Sequence, residues 1–489
     1  MFDTDFSAYA GDGANEDGGA AVPVVALGPG GFDAWRETAA AGEAAWAAAT
    51  GFNGKPGTVA LLPGEDGAIA RVLAGIGENA ADAMWDWAGV ADKLPAGTYR
   101  LTDLSGAALD GDEAGRAWLG RLLAAYRFDR YKKDAGGGDD VVRFVPPADE
   151  VRHAVERLAR GIWTVRDLVN LPAGTLGPTA LGEAAAAIAA RFGAIIEQTV
   201  GDDLLTAGYP AVHAVGRASA DAPRLIDIRW GRDGDPKVTL VGKGVCFDTG
   251  GLDIKTASGM KLMKKDMGGA AHVLALGAMI MDAGLPVRLR VLVPAVENAI
   301  AGNAMRPLDV VETRSGLTIE IGHTDAEGRV ILADALTEAV RETPELVIDC
   351  ATLTGAARIA LGTEIPALFC NDDGLAAGLL LASSETGDPL WRMPLWQGYA
   401  RHVDGKVADV TNSPDSSYGG AITAALFLER FVSESEQSAD SKGANGSVAW
   451  AHLDMMAWNL SSRPGRPEGG EAMGLRALYA FIEDRFGAE

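Results

Sequence analysis

The chain has 489 residues, 48% hydrophobic and 22% charged, an ordinary composition for a soluble globular protein with room for two or three domains. A formal net charge of −24 opposes nonspecific attraction to nucleic acid or to an anionic membrane. Three cysteines make no disulfide framework and no run of 18 apolar residues offers a membrane span, so a cytoplasmic protein without a membrane segment is expected.

The first 20 or so residues, beginning Met1-Phe-Asp-Thr-Asp5, are rich in Gly, Ala and Asp. They lack the apolar core of a secretory signal and are expected to fray. Residues 1–148 read as a smaller N-terminal α/β domain. Strands are expected at Val24–Leu27 and Val59–Leu62, helices at Phe32–Ala48 and Gly115–Lys132, and a loop at Gly136–Asp140. The acidic stretch Asp110–Glu113 reads as solvated surface, and no catalytic constellation stands out in this domain. Pro146-Pro147 marks a boundary, and residues 149–170 read as a linking helix.

Residues 171–489 alternate strand and helix. The expected strands are Leu225–Ile228, Val238–Val241, Leu289–Val293, Leu317–Ile321, Leu346–Asp349, Ala367–Phe369 and Val448–Trp450. Helices are expected at Gly268–Ala283, Arg329–Arg341 and Ala421–Val432. This pattern predicts an α/β fold in which the larger domain has a central, mostly parallel sheet covered by helices.

Two junctions in this domain concentrate charge. Lys243 and Asp248 follow the Val238–Val241 strand closely, Gly250-Gly251 permits a sharp turn, and Lys255 and Asp266 precede the Gly268 helix. Asp325, Glu327 and Arg329 lie where a second strand gives way to a helix. If the two strands are neighbours, three aspartates, one glutamate, two lysines and an arginine converge at one sheet edge, where open α/β sheets hold ligands. Four carboxylates are enough for two divalent ions, which can activate a water and polarise a carbonyl. Such ligands suit Mg, Mn or Zn. A lysine beside two cations can lose its proton and ligate, while a charged Lys or Arg can stabilise an oxyanion. Taken singly, each residue has a plainer reading: Lys243 as a surface lysine, Asp248 as a turn residue, Asp266 as a helix cap.

Other constellations are missing. No His-Glu-x-x-His, Gly-x-Ser-x-Gly or complete phosphate loop occurs. Cys246, Cys350 and Cys370, with His272 and His452, read as core residues.

Val241-Gly-Lys-Gly-Val-Cys-Phe-Asp-Thr-Gly-Gly251, Met263-Lys-Lys-Asp-Met-Gly-Gly-Ala-Ala271 and Thr324-Asp-Ala-Glu-Gly-Arg329 resemble the leucyl (cytosol) aminopeptidase family of two-metal exopeptidases. Similarity continues through Asp349-Cys-Ala-Thr-Leu-Thr-Gly355, Gly419–Phe427 and Trp450-Ala-His-Leu-Asp454. The resemblance implies that Lys243, Asp248, Asp266, Asp325 and Glu327 bind two divalent ions, Mn or Zn with Mg or Co as other options, and that Asp248 and Glu327 bridge them. It implies Lys255 and Arg329 as catalytic residues, with a bicarbonate near Arg329, and Met263, Thr352, Leu353 and Gly355 as substrate-site residues. A metal-bridging water would attack the first peptide bond of a peptide with a free N-terminus. The family also implies a homo-hexamer.

Three departures stand out: His323 replaces the family's usual Asn, Leu317 replaces a Lys, and Met456 replaces a small residue of the first side-chain pocket. Met456 is expected to narrow that pocket. A competing reading is a catalytically weak oligomeric scaffold, or a regulatory or DNA-binding protein, on the same fold.

Overall fold

The computed structural model describes residues 2–12, 20–28, 30–133, 141–433 and 448–487. The chain divides into two compact units: Asp3–Trp163 with Ser461–Glu468, and Thr164–Leu460 with Gly469–Glu489 and Met1–Phe2. The division falls inside the long helix Asp149–Asn170.

The smaller unit holds a five-stranded sheet, in the order Val59–Pro63, Ile69–Gly75, Val22–Leu27, Gly97–Thr102, Val142–Phe144. All its pairings are parallel except that of the first two strands. Val25, Leu27, Leu62 and Leu73 pack with Trp35, Ala47 and Phe52. The expected helix at Phe32–Ala48 is two helices, Gly31–Thr38 and Ala41–Ala49. The break is at Ala39–Ala40, where neither Gly nor Pro marks it. The helix expected at Gly115–Lys132 spans Gly111–Ala125 and stops where Tyr126 turns extended. The loop expected at Gly136–Asp140 lies outside the described residues. Fraying of the first residues does not hold for 2–10. Phe2 and Phe6 are each 1% exposed, and Ala10 bridges to Phe144. Two aromatics spaced four apart in an otherwise small-residue segment were the signal for this.

The larger unit is built on a nine-stranded sheet. Its main path runs Trp391–Arg392, Ala367–Cys370, Trp450–Asp454, Leu346–Ala351, Lys237–Gly242, Arg288–Asn298, Arg224–Trp230, Ile195–Val200. The four middle strands are mutually parallel, and antiparallel pairs flank them. Gly244–Asp248, read from sequence as a connection, is a short strand beside Ala295–Asn298. The late strand is Trp450–Asp454, shifted from the expected Val448–Trp450. The strand before Asp325 is Thr318–Glu320 and belongs to a separate three-stranded sheet with Val310–Glu312 and Val410–Thr411. The two acidic junctions are therefore not ends of neighbouring strands. A loop, residues 321–326, carries Asp325 to the main sheet.

Helices Gly268–Ala283 and Glu327–Val340 cover the parallel strands and are buried along nearly all their length. That is why neither shows the one-sided apolar stripe of a surface helix. The first turn of Gly268–Ala283 lies directly on two strands: Ala270 N–H donates to Lys243 O at 2.9 Å, and Lys243 N–H donates to Cys350 O at 3.0 Å. A Cβ on Gly269 would collide with the Cys350 carbonyl and lie 2.9 Å from Lys243 N. We expect Gly269→Ala to lower stability in urea by about 2–3 kcal/mol. Gly284→Ala, at an open helix end with φ +64, should cost about 1 kcal/mol, from backbone strain alone.

Candidate metal centre and active site

Each acidic or basic residue singled out above reaches one cavity by its own piece of backbone. Lys243 leaves the Lys237–Gly242 strand and is 3% exposed. Asp248 ends the Gly244–Asp248 strand. Its Oδ1 accepts from Asn298 Nδ2 at 2.9 Å and from Gly250 N–H at 2.8 Å. Gly250 and Gly251 take φ of +87 and +67, a left-handed turn that returns the chain to Lys255. Asp266 sits on the 3₁₀ turn Met263–Met267. Glu327 is the first residue of its helix, where the macrodipole favours an anion.

The Asp325 loop is fastened to the Asp248 loop. Thr324 Oγ1 donates to Gly250 O at 2.6 Å and accepts from Asp253 N–H at 2.8 Å, while Thr324 N–H donates to Asp253 Oδ2 at 2.8 Å. Asn412 holds the same loop from the other side, donating from Nδ2 to His323 O at 2.8 Å. Sequence reading missed Asn298, Asp253, Thr324 and Asn412 as positioning residues. Asn298 lay beyond the expected end of its strand, and no local spacing marks the others.

The ion pairs interlock. Lys243 Nζ is 2.7 Å from Asp266 Oδ2 and 2.9 Å from Glu327 Oε1. Lys255 Nζ is 2.8 Å from Asp248 Oδ2 and also pairs with Asp325 Oδ1. Thr352 Oγ1 donates to Asp266 Oδ1 at 2.7 Å. Gly328 gives the Lys243 side chain its space: a Cβ there would lie 2.5 Å from Lys243 Cε.

This donor set fits divalent cations. Both oxygens of Glu327, Asp266 Oδ2 and Asp325 Oδ1 are shielded from water and make no hydrogen bond of good geometry, touching only ammonium groups. Oxygens of Asp248, Asp325 and Glu327 lie within 4.8 Å of one another. The four carboxylates pair directly with only two ammonium groups, Lys243 and Lys255, and carboxylates crowded together in a buried site are costly without cations between them.

The same crowding moves the titrations. Burial opposes the charged form of Lys243, but Asp266, Glu327 and Asp248 outweigh it and push its pKa up. Lys255 is raised in the same way by Asp248 and Asp325. Burial, reinforced by Asp248, lifts Glu327 to about 8, and burial with Asp266 raises Asp248. Asp266 is lowered: burial works against this, and Lys243 and Lys265 overcome it. Burial lowers Arg329 to about 10 and Lys265 to about 8.

The cavity has a volume of about 350 Å³. Lys243, Asp248, Lys255, Asp266, Asp325 and Arg329 line it together with Met263, Lys265, Thr352–Ala356, Arg358, Gly420 and Met455. Arg329 is held by Asn412, its Nη1 donating to the carbonyl at 2.6 Å, and its buried Nε has no hydrogen-bond partner. Met263, Thr352, Leu353 and Gly355 face the cavity; Met456 does not. Met455 takes that place, and Met456 lies behind with its sulfur 3.2 Å from Arg358 Nη1. His323 is half-exposed, with Nδ1 accepting from Asp325 N–H at 3.1 Å. His272 and His452 are core residues: His272 bonds Gly268 O and Met473 N, and His452 bonds Asp349. All three cysteines are buried and free.

Residues 163–479 match the family model described as "Cytosol aminopeptidase family, catalytic domain", and 22–142 match "M17 aminopeptidase, N-terminal domain". A "Probable cytosol aminopeptidase" of Methylobacterium radiotolerans is 37% identical over 465 residues, 90% of this chain and 89% of the relative. One from Roseiflexus castenholzii is 40% identical over 380 residues, 75% of each chain. The crystal structure of the cytosol aminopeptidase from Coxiella burnetii is similar with a TM-score of 0.88 and 48% identity, over 95% of this chain and 97% of that one. The bottromycin maturation enzyme BotP in complex with Mn is similar with a TM-score of 0.83 and 35% identity, over 95% and 99%.

Cation uptake by this cluster would be proton-linked. A divalent ion entering it displaces protons held by Lys243, whose pKa is raised, and by Glu327, which is protonated below about 8. Raising the pH removes the Glu327 proton beforehand, and it lowers the cost of releasing the Lys243 proton, which stays bound until the ion displaces it, so affinity rises with pH. Mn²⁺ titrations of the EDTA-stripped protein at pH 6.5 and 8.5 should give at least tenfold tighter binding at the higher pH, with net proton release. Equal affinities and no release would refute this account.

Proposed function

This chain belongs to the cytosol aminopeptidase family, and we propose that it removes the first residue from peptides with a free N-terminus, using two divalent metal ions. The observation that carries this reading is the meeting of Lys243, Asp248, Asp266 and Asp325 at one cavity with Lys255 and Arg329, with Glu327 directly behind them against Lys243, Asp248 and Asp325. The five donors would hold the ions, with Asp248 and Glu327 as the shared ligands. The Mn bound by the bottromycin maturation enzyme supports manganese as the first ion to try, with Zn, Mg and Co as alternatives. When bound, the ions would supply a water acidic enough to act near neutral pH and would polarise the scissile carbonyl.

Lys243, pressed between Asp266 and Glu327, would lose its proton on loading and serve as an amine donor. Lys255 stays charged. Freed from Asp248 and Asp325, its ammonium would turn to the carbonyl oxygen of the substrate and stabilise the negative charge that develops there. Arg329, fixed by Asn412 and with Nε free to donate, would hold a bicarbonate. Met263, Thr352, Leu353 and Gly355 would line the place of the first side chain. Family resemblance and the relatives' names support a cytoplasmic homo-hexamer. No helix among the described residues is long and apolar enough to cross a membrane.

Mn²⁺-loaded protein should hydrolyse leucyl or alanyl coumarylamides, and EDTA should abolish turnover until Mn²⁺ is restored. Lys255→Met should lower kcat by about 100- to 1000-fold while Mn²⁺ uptake persists. Absence of turnover with every aminoacyl amide would favour the catalytically weak scaffold instead.

A further inference from the structure

The cavity contains two cations that the metal centre does not use. Lys265 is 2% exposed and lines the cavity beside Asp266. Arg358, on the helix Gly355–Leu361, lines the same side. Among the described residues neither has a carboxylate within ion-pair distance. Asp266 and Asp454 act on Lys265 from beyond that distance, and both are engaged more closely elsewhere. Asp266 is held by Lys243 and Thr352. Asp454 accepts from Leu353 N–H at 3.0 Å, Thr354 N–H at 3.1 Å and Thr354 Oγ1 at 2.6 Å. Arg358 Nη1 touches only the Met456 sulfur, which steers the guanidinium without neutralising it. In a chain with 67 acidic and 43 basic side chains, two unpaired cations in one cavity run against the overall balance. A buried ammonium without a counterion is costly, and a ligand that brings an anion removes that cost.

We propose that Lys265 and Arg358 form an anion-accepting end of this cavity, which selects peptides whose first residue is glutamate or aspartate. The inference rests on the aminopeptidase reading and extends it to a substrate class. An exopeptidase holds the first side chain at the closed end of its site while the rest of the peptide leaves toward solvent. Lys265, nearly sealed from water, is the deeper of the two cations, and Arg358, partly exposed, is the shallower. Met263 and Met455 supply the apolar surface for the side-chain methylenes. Met456 therefore acts on specificity by placing Arg358 and not by filling the pocket. A site built around buried charged groups discriminates strongly, because a ligand lacking the complementary group leaves them unpaired.

The test compares glutamyl, glutaminyl and leucyl coumarylamides on the Mn²⁺-loaded protein, Glu and Gln being matched in size. None of the three amides carries a peptide C-terminus, so a C-terminal carboxylate cannot account for a preference. We expect kcat/KM for the glutamyl amide to exceed that for the glutaminyl amide at least tenfold, the scale of one charge-assisted hydrogen bond. Lys265→Met should cut that ratio about tenfold and Arg358→Gln severalfold; the latter is only half-buried and tests the idea even if the former does not fold. In parallel, millimolar L-glutamate should raise the melting temperature of the Mn²⁺-loaded protein more than L-glutamine does, and the difference should disappear in Arg358→Gln. Turnover of the leucyl and glutaminyl amides with no glutamyl preference overturns this inference and leaves the aminopeptidase reading standing. No turnover of any amide defeats that reading, and the L-glutamate comparison then still decides whether the cavity prefers an anion.

Discussion

Four carboxylates and two ammonium groups, most of them buried, crowd around one cavity, and the rest of the larger unit is arranged around keeping them there. Charges of like sign at this range repel by several kcal/mol at the effective dielectric of a protein, so the cluster persists only if the backbone holds its members and cations stand between them. Lys243 and Lys255 do this in part. Each lies between two acids that come from different segments of the chain. Removing one ammonium would leave uncompensated buried charge, the costly way to break such a network.

The backbone meets this demand through close approach. Glycines at 242, 269 and 328 leave no room for a methyl group where strand, helix and the Lys243 side chain pass one another. Asn298 and Thr324 then lock the two acidic loops together with side-chain hydrogen bonds. Neither residue would be chosen as functional by its chemistry, yet both set where the carboxylates point. Arg329 depends in the same way on the Asn412 carbonyl, which arrives from a segment 83 residues later. The part of the cavity nearest Arg358 is built differently. There Asp454 fastens the Leu353–Thr354 turn, and Lys265 and Arg358 are left without acids of their own.

How legible this was depends on the range of the interaction. The helix Gly268–Ala283 and the strands at 225, 238, 289, 346 and 367 were expected close to where they stand, because buried apolar runs bounded by glycine or charge are local signals. Ile195–Val200 and Gly244–Asp248 were not recognised. The first alternates weakly at a sheet edge, and the second is short and glycine-led. The strand before Asp325 was recognised, but its place in a separate small sheet was not, since pairing partners are chosen by tertiary contacts and not by the strand's own residues.

By itself the sequence singled out the charged residues that crowd around this cavity. Lys243, Asp248, Lys255, Asp266, Asp325, Glu327 and Arg329 all stand out as charges at turns between apolar segments, and their spacing carries the family likeness. Only the tertiary structure decided how they meet. A separate small sheet and a pinned loop bring Asp325 in, Met455 and not Met456 faces the cavity, and Lys265 emerges as a buried cation instead of one lysine in a basic pair. The physical reason is that a side chain's identity is local, while its burial, its partners and its net electrostatic balance are set by segments far away in the chain.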